Sequence, residues 1–387
     1  LHAQAGRRDA AIADAQALVH AHPARSAADW FNLAFLLEAA DKRRPGTPVI
    51  EIESVSGSAS DRFMRVAVIN DDMPFLVDSI ASAVTAQGLG INRLVHPVLA
   101  VHRGDDGTLS GLPIGKATEG AKRESMVYLE TDRADAKGRR ALREALAEVL
   151  ADVRTAVADW PKMQAAIAAD ADLVAARAAT DDEGAELLRW LGEGMLTQLG
   201  HVTRHRDGTY SEALGICRKG DRPLLGEPSF KRAFEWFDKS GKSARAPLVI
   251  KSNRLSTVHR RAPLDLFIVP VFEGKKVTAL SLHAGVWTSA ALAAAPTQVP
   301  HMRAQLAALT GKFGFDPGGH AGKALVHAMT SLPHDLLIGF EDSDLERVST
   351  TMMSLIDRPR SNAICSPSSG CPAIPCPPRR GCRSSRC

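Results

Sequence analysis

Few side chains in this sequence combine the type and the spacing that chemistry demands. The adjacent carboxylates Asp71 and Asp72 could act as an acid–base pair, but they stand between a strand-like run and a helix-like one. Turn formation and helix capping are the commoner work of Asp in that position. His201 and His205 lie four residues apart, which is metal-ligand spacing on a helix. Their stretch alternates like a strand, where such residues share a face but stand about 13 Å apart, too far to hold one metal. They read as ordinary surface histidines. Ser256-Thr257-Val258-His259-Arg260 sets hydroxyls beside a histidine, but a nucleophile and its base need apposition in space and an orienting third group. Cys217 reads as a buried small hydrophobe. The glycine signatures fail as well. A dinucleotide loop needs G-x-G-x-x-G, whereas Gly88-x-Gly90 leads to Arg93 and Gly192-x-Gly194 leads to Thr197. A phosphate loop ending at Gly322-Lys323 would need a glycine where Pro317 stands and a hydroxyl where Ala324 stands. No catalytic, cofactor-binding or metal-binding set is assigned.

The whole chain has 387 residues, 45% hydrophobic and 24% charged, enough for two or three soluble domains. No apolar run reaches the roughly 18–20 residues of a membrane span, and no secretory signal opens the sequence. Starting at Leu1, it reads as cytoplasmic and shortened at its front. The net charge of +4 is that of the tail, because residues 361–387 carry four arginines and no acid. A neutral body offers no electrostatic footprint for nucleic acid. Five cysteines also crowd that tail, which is otherwise Ser, Pro and Arg. It cannot bury a core and is expected to be disordered. Gaps of six and five residues between its cysteines, with no histidine, suit zinc poorly. A frame-shifted end of a GC-rich gene explains its composition best.

Hydrophobic periodicity divides the rest. Residues 1–45 are Ala-rich and helical, broken at His22-Pro23, with a second helix over Ala27–Ala40; Asp41–Pro48 reads as a linker. From 46 to 160 the order is strand (Phe63–Ile69), helix (Met73–Gln87, with Asp72 as its N-cap), strand (Ile91–Arg103), strand (Ser125–Thr131) and helix (Asp135–Asp159). This is one strand short of a ferredoxin-like βαββαβ unit, and Thr47–Val55 in front could supply it. Such units host small-molecule regulatory sites, as in ACT domains. A helical linker covers 161–185. Residues 186–295 give two strands around Asp207-Gly208, short helices, then Pro247–Lys251, Leu264–Phe272 and Lys276–Ala284, the order of a PAS-like antiparallel sheet. Residues 296–357 are helical, and 358–387 form the tail. The fold class is α+β.

Several stretches resemble the N-terminal region of the large bacterial NAD-specific glutamate dehydrogenases. They are Asn70–Ser79, His96-Pro97-Val98, Glu124-Ser125, Asp152-Val153-Arg154, Asp159-Trp160, Ser256–Arg260 and Asp265, in the family's order. The resemblance implies ACT-like and PAS-like modules, a homo-oligomer assembled through them, and NAD as cofactor of the full-length enzyme, with no cofactor held by this region. The family's P-R-D-E-L-F stretch reads Pro333-His334-Asp335-Leu336-Leu337-Ile338 here. A helix amino-terminus offers free N–H groups and a favourable dipole to a carboxylate. Asn70, Asp71, Asp72, Met73, Pro74 and Phe75 are therefore expected to contribute to an amino-acid effector site. Two roles stay open: the regulatory part of a glutamate dehydrogenase, or a stand-alone amino-acid-sensing or scaffolding module.

Overall fold

The computed structural model describes residues 27–56, 62–112, 119–177, 183–220, 222–240 and 246–356. The expected break at His22-Pro23 and the tail from 361 lie outside them. The order of elements in the first half is α1 (Ala27–Ala40), β1 (Val49–Val55), β2 (Phe63–Asp71), α2 (Leu76–Ala86), β3 (Ile91–Val95), β4 (Val98–Arg103), β5 (Leu109–Gly111), β6 (Lys122–Thr131) and α3 (Ala136–Ala175). The sheet runs β1-β2-β6-β4-β5, with β3 also on β6. β1 fills the edge beside β2 that the last strand of a βαββαβ unit would take, so that strand comes first in the chain rather than last. Strand β2 is covered on both faces. Met64, Val66 and Val68 meet Ile80 and Val84 of α2 and Leu142, Leu146 and Val149 of α3, while Ala67 and Ile69 meet Phe35 and Leu36 of α1.

Local details depart from the sequence reading for physical reasons. The expected strand Ile91–Arg103 is cut at His96-Pro97, because proline has no N–H for the ladder; the Pro97 carbonyl accepts from the Met126 N–H at 3.0 Å instead. The helix expected from Met73 begins at Leu76, and its cap residue is Phe75 in a left-handed conformation with no side-chain cap. Asp72 is not the cap; its carboxylate is drawn across the turn to β6. The stretch Asp41–Pro48 is docked, not a free linker. Arg43 N–H donates to the Gly107 carbonyl at 2.9 Å, and a Cβ on Gly107 would sit 2.7 Å from the Arg43 carbonyl oxygen. Helix α3 is capped by Asp135, which accepts from Gly138 N–H at 2.7 Å. It runs on through Pro161, so the boundary expected at residue 160 falls inside it.

The second half continues with α4 (Glu183–Trp190), a π turn (Leu191–Met195), β7 (Leu196–His205), β8 (Tyr210–Gly215), α5 (Glu227–Ser240), β9 (Leu248–Leu255), β10 (Pro263–Glu273), β11 (Lys276–Trp287) and α6 (Ser289–Ala293). Helices α7 (Met302–Phe313), α8 (His320–Thr330), α9 (His334–Leu337) and α10 (Asp342–Ile356) follow. The second sheet runs β8-β7-β11-β10-β9. One face, with Val202, Leu266, Ile268 and Leu282, packs with Phe230, Phe234 and Phe237 of α5. The other, with Phe267, Val269 and Trp287, packs with Ile167, Ala171 and Val174 of α3 and with Leu306 and Leu325 of α7 and α8. Every strand pairing in both sheets is antiparallel among the described residues. No described helix is long and apolar enough to cross a membrane.

Leu146 is 0% exposed where α3 meets the first sheet, whereas Trp160 on the same helix is 46% exposed. Leu146→Ala should destabilise the chain by about 2–5 kcal/mol in urea titration. Trp160→Ala should cost less than about 0.5 kcal/mol by the same measurement.

Candidate functional site

The turn Asn70–Phe75 leaves the end of β2 and is held by a dense set of ion pairs. Asp71 lies between the Arg43 guanidinium and Arg154 of α3, whose Nη1 is 2.6 Å from Oδ2. The same carboxylate accepts from Gly46 N–H at 3.0 Å. Arg43, only 2% exposed, also reaches Glu124 at 2.5 Å, and Arg103 closes on Glu124 with two contacts of 2.7 Å. Arg154 Nη2 donates to Asn70 Oδ1 at 2.7 Å. Asp72 accepts from Ser125 Oγ at 2.9 Å and from Arg123 Nε at 3.1 Å. His96 Nε2 lies 3.1 Å from that hydroxyl. Burial alone would push the Asp71 carboxyl up; the hydrogen bonds and charges of Arg43 and Arg154 outweigh it and hold it below the usual carboxylate range. The structure thus brings Asn70, Asp71 and Asp72 together with β4, β6 and α3. Met73 and Phe75 pack against the core, and Pro74 is exposed.

The end of the turn meets the other recognised motif. The Phe75 ring lies 5.4 Å from the His259 ring. His259 N–H donates to Ser79 Oγ at 2.8 Å, and its Nδ1 is 2.9 Å from Asp78 Oδ2. Ser256 accepts from Val258 N–H at 3.1 Å and donates to its carbonyl at 2.7 Å, so its hydroxyl shapes its own turn. Thr257 donates to Asp152 at 2.8 Å. Neither hydroxyl is paired with His259 as a nucleophile would be with its base.

Helix α3 carries the groups that periodicity alone passed over. Asp152, Asp159 and Asp170 are all buried. Intervals of 7 and 11 residues at 3.6 per turn bring them to one side of the helix within about 20°. Each pins a different element of the second unit. Asp152 holds Thr257 and Arg222. Asp159 holds the Arg218 guanidinium and accepts from Gly215 N–H at 2.8 Å. Asp170 accepts from Ser281 and lies 2.6 Å from His283 Nε2. The Arg218 hydrogen bond keeps the Asp159 carboxyl low against the opposing effect of burial. A sequence signal for these acids existed: each interrupts an apolar stripe where an unpaired charge would be costly.

His201 is a correction. It is 2% exposed and stacks on His283 with ring centroids 4.6 Å apart. Burial, then the neighbouring His283, pushes its pKa down to about 4. His205 stands apart, with Nε2 2.7 Å from Ser211 Oγ. Cys217 packs against the core, and burial pushes its thiol up to about 12, which removes a thiolate at neutral pH. Asp265 faces Lys251 at 2.7 Å, and Lys251 also meets Asp335 at 2.7 Å. Desolvation raises the Asp265 carboxyl to about 6 despite that lysine. Asp335 thereby ties the Pro333–Ile338 stretch to the second sheet. Among the described residues no group of three or more His, Cys, Asp or Glu side chains could hold a metal ion.

A covered antiparallel α/β unit, its turn locked by arginines, is thus joined by one helix to a second antiparallel sheet. The glutamate dehydrogenase ACT1 domain model matches residues 15–146, and that of glutamate dehydrogenase helical motif 1 matches residues 299–358. The NAD-specific glutamate dehydrogenase of Halomonas elongata is 30% identical over 310 residues, covering 76% of this chain and 19% of that protein. That of Pseudomonas aeruginosa is 29% identical over 350 residues, covering 85% of this chain and 21% of that protein. A solved structure of an uncharacterised protein from Mycobacterium tuberculosis overlaps 68% of this chain and 53% of its own, at 10% identity. Its TM-score of 0.16 is too low to inform the fold. The resemblance seen at Asn70–Ser79 therefore holds across most of the chain: it is similar to the N-terminal region of the large NAD-specific glutamate dehydrogenases. It spans about a fifth of the length of these relatives.

Removing Arg43 leaves two carboxylates short of a partner inside the fold. Because Asp71 keeps Arg154 and Glu124 keeps Arg103, Arg43→Ala should cost about 1–3 kcal/mol in chemical denaturation. Arg123→Ala, at a side chain 71% exposed, should cost about 0–1 kcal/mol. His201 gives a pH dependence of definite sign. Its folded pKa of about 4 lies below the ordinary 6.5, so its neutral burial stabilises above 6.5 and that contribution is lost as pH falls towards 4. Comparison of wild type and His201→Leu unfolding energies at pH 7 and pH 4.5 should show a smaller loss in the variant, by on the order of 2–3 kcal/mol. Asp265 acts with the opposite sign in the same window and is common to both proteins.

Proposed function

We propose that this chain is the regulatory and assembly part of an NAD-dependent glutamate dehydrogenase, which converts L-glutamate, NAD and water to 2-oxoglutarate, ammonia and NADH. The observation that carries this reading is the family match combined with two sheets whose described strand pairings are all antiparallel. A dinucleotide site needs parallel βαβ units with a glycine-rich first turn. The residues described here do not fit NAD, and hydride transfer is assigned to the portion of the relatives that this chain does not span. The second sheet is read as PAS-like. In support, its strands counted along the chain run second-first-fifth-fourth-third across the sheet, with the helix α5 between the second and third among the described residues.

The amino-acid effector site at Asn70–Phe75 is part of the same proposal, in a modified form. Arginines already engage Asp71 and Asp72, so the ammonium of a ligand finds no free carboxylate there. A ligand carboxylate would instead address the first turn of α2 and the exposed Arg123. Assembly of copies through these units belongs to the reading too.

The purified chain, given glutamate and NAD, should produce no NADH; turnover would overturn the division of labour. Titration calorimetry of the full chain with a panel of amino acids should give saturable heat with at least one of them, lost in Arg123→Ala. Absence of heat with every amino acid would remove the effector site and leave assembly as the role.

A further inference from the structure

We infer that the loop Ser256–Arg260 is a releasable latch on the amino-terminal end of α2, through which the first sheet unit and the second control one another's local opening. The inference rests on the contact geometry and stands apart from the enzyme assignment.

Two residues with side chains face each other across this contact in left-handed backbone conformations, Phe75 at φ 69° and His259 at φ 65°. Neither is glycine, so each conformation carries a steric penalty, larger for Phe75 than for His259, and persists while its surroundings favour it. Val258 of the loop is itself buried in the core and Arg260 donates to the Trp287 carbonyl at 2.6 Å, but the polar and ring contacts across the Phe75–His259 tip are few. They are the His259 N–H to Ser79 Oγ bond at 2.8 Å, the ring contact at 5.4 Å, a longer Ser82 hydroxyl to His259 carbonyl contact of 3.4 Å, and the Asp78–His259 pair. In that pair the side chains are 60% and 36% exposed, which makes it weak in water. Behind the contact both sides are firmly anchored. Thr257 is fixed to buried Asp152 at 2.8 Å, and Ser256 is buried in its own turn. On the other side Ser79 and Ile80 are 0% exposed within α2. Strain at the tip, weak contacts across it and firm anchors behind it make an element with two accessible arrangements. Opening frees the first turn of α2 and, in the same event, releases the loop that joins β9 to β10. The coupling is reciprocal by linkage, since each half is closed only when the other is.

Hydrogen exchange of the full chain, read by mass spectrometry on peptides covering 75–80 and 257–262, tests this. Losing one hydrogen bond of ordinary strength corresponds to about tenfold in an opening equilibrium. Ser79→Ala should therefore speed exchange about tenfold in both peptides, while peptides from β6 and β11 stay unchanged. His259→Ala, which keeps the strained backbone and removes the ring, should do the same from the other side. His259→Gly relieves the strain and should fall between wild type and His259→Ala. Faster exchange confined to the peptide that carries the substitution would overturn the latch. So would exchange that rises equally in β6 and β11, because the contact would then open only with global unfolding.

Discussion

The structure depends on one stripe of buried acid along α3. Asp152, Asp159 and Asp170 span 18 residues, about 27 Å of helix, and face the second unit from buried positions. A buried carboxylate is tolerated only when paired and hydrogen-bonded. Each acid therefore dictates which element must lie opposite it: the Ser256–Arg260 loop, the end of β8, and the centre of β11. Hydrophobic packing alone would permit the helix to slide or rotate against the sheet at little cost. Three hydrogen-bonded carboxylates at fixed intervals do not. The same helix sends Arg154 the other way, to Asn70 and Asp71, so one rigid rod sets the position of both sheets.

This arrangement gives the Asn70–Ser79 segment its meaning. It begins in an ion network that includes α3, and it ends against the loop that α3 also holds through Asp152. The segment, the loop and the helix form a closed circuit of contacts between the two units. The arginine cluster around Asp71 and Glu124 is the rigid end of the circuit, and the Phe75–His259 contact is its yielding end.

Much of the fold was legible because local period is a local property. The strand β2, the helix Ala27–Ala40 and the hairpin at Asp207-Gly208 follow from alternation, helical spacing and turn chemistry. In that turn Gly208 adopts φ 100°, and Asp207 accepts from Thr209 N–H at 2.9 Å. The resemblance motifs marked the residues that meet in space, although nothing in their spacing said that Ser79 and His259 would touch. Sequence reading erred where a tertiary partner competes with a local one. Asp72 would have capped α2, but Arg123 and Ser125 on a neighbouring strand offered more than one backbone N–H. Pro161 would have ended α3, but the buried face of Met163, Ile167, Ala171 and Val174 on the second sheet carries the helix past it.

Residue type and short-range spacing sufficed for the α+β class, most element positions, the family resemblance and the failure of the glycine-rich cofactor motifs, because each of these is a local property of the chain. Long-range contacts in the folded chain were needed to show that His201 is buried against His283, that Asp41–Pro48 is docked through Arg43, and that α3 joins two sheets. Charge pairing across 81 residues, as between Arg43 and Glu124, or a hydrogen bond across 105, as from Thr257 to Asp152, leaves no periodic trace. A buried acid announces that it needs a partner, but only the folded chain can say which one it finds.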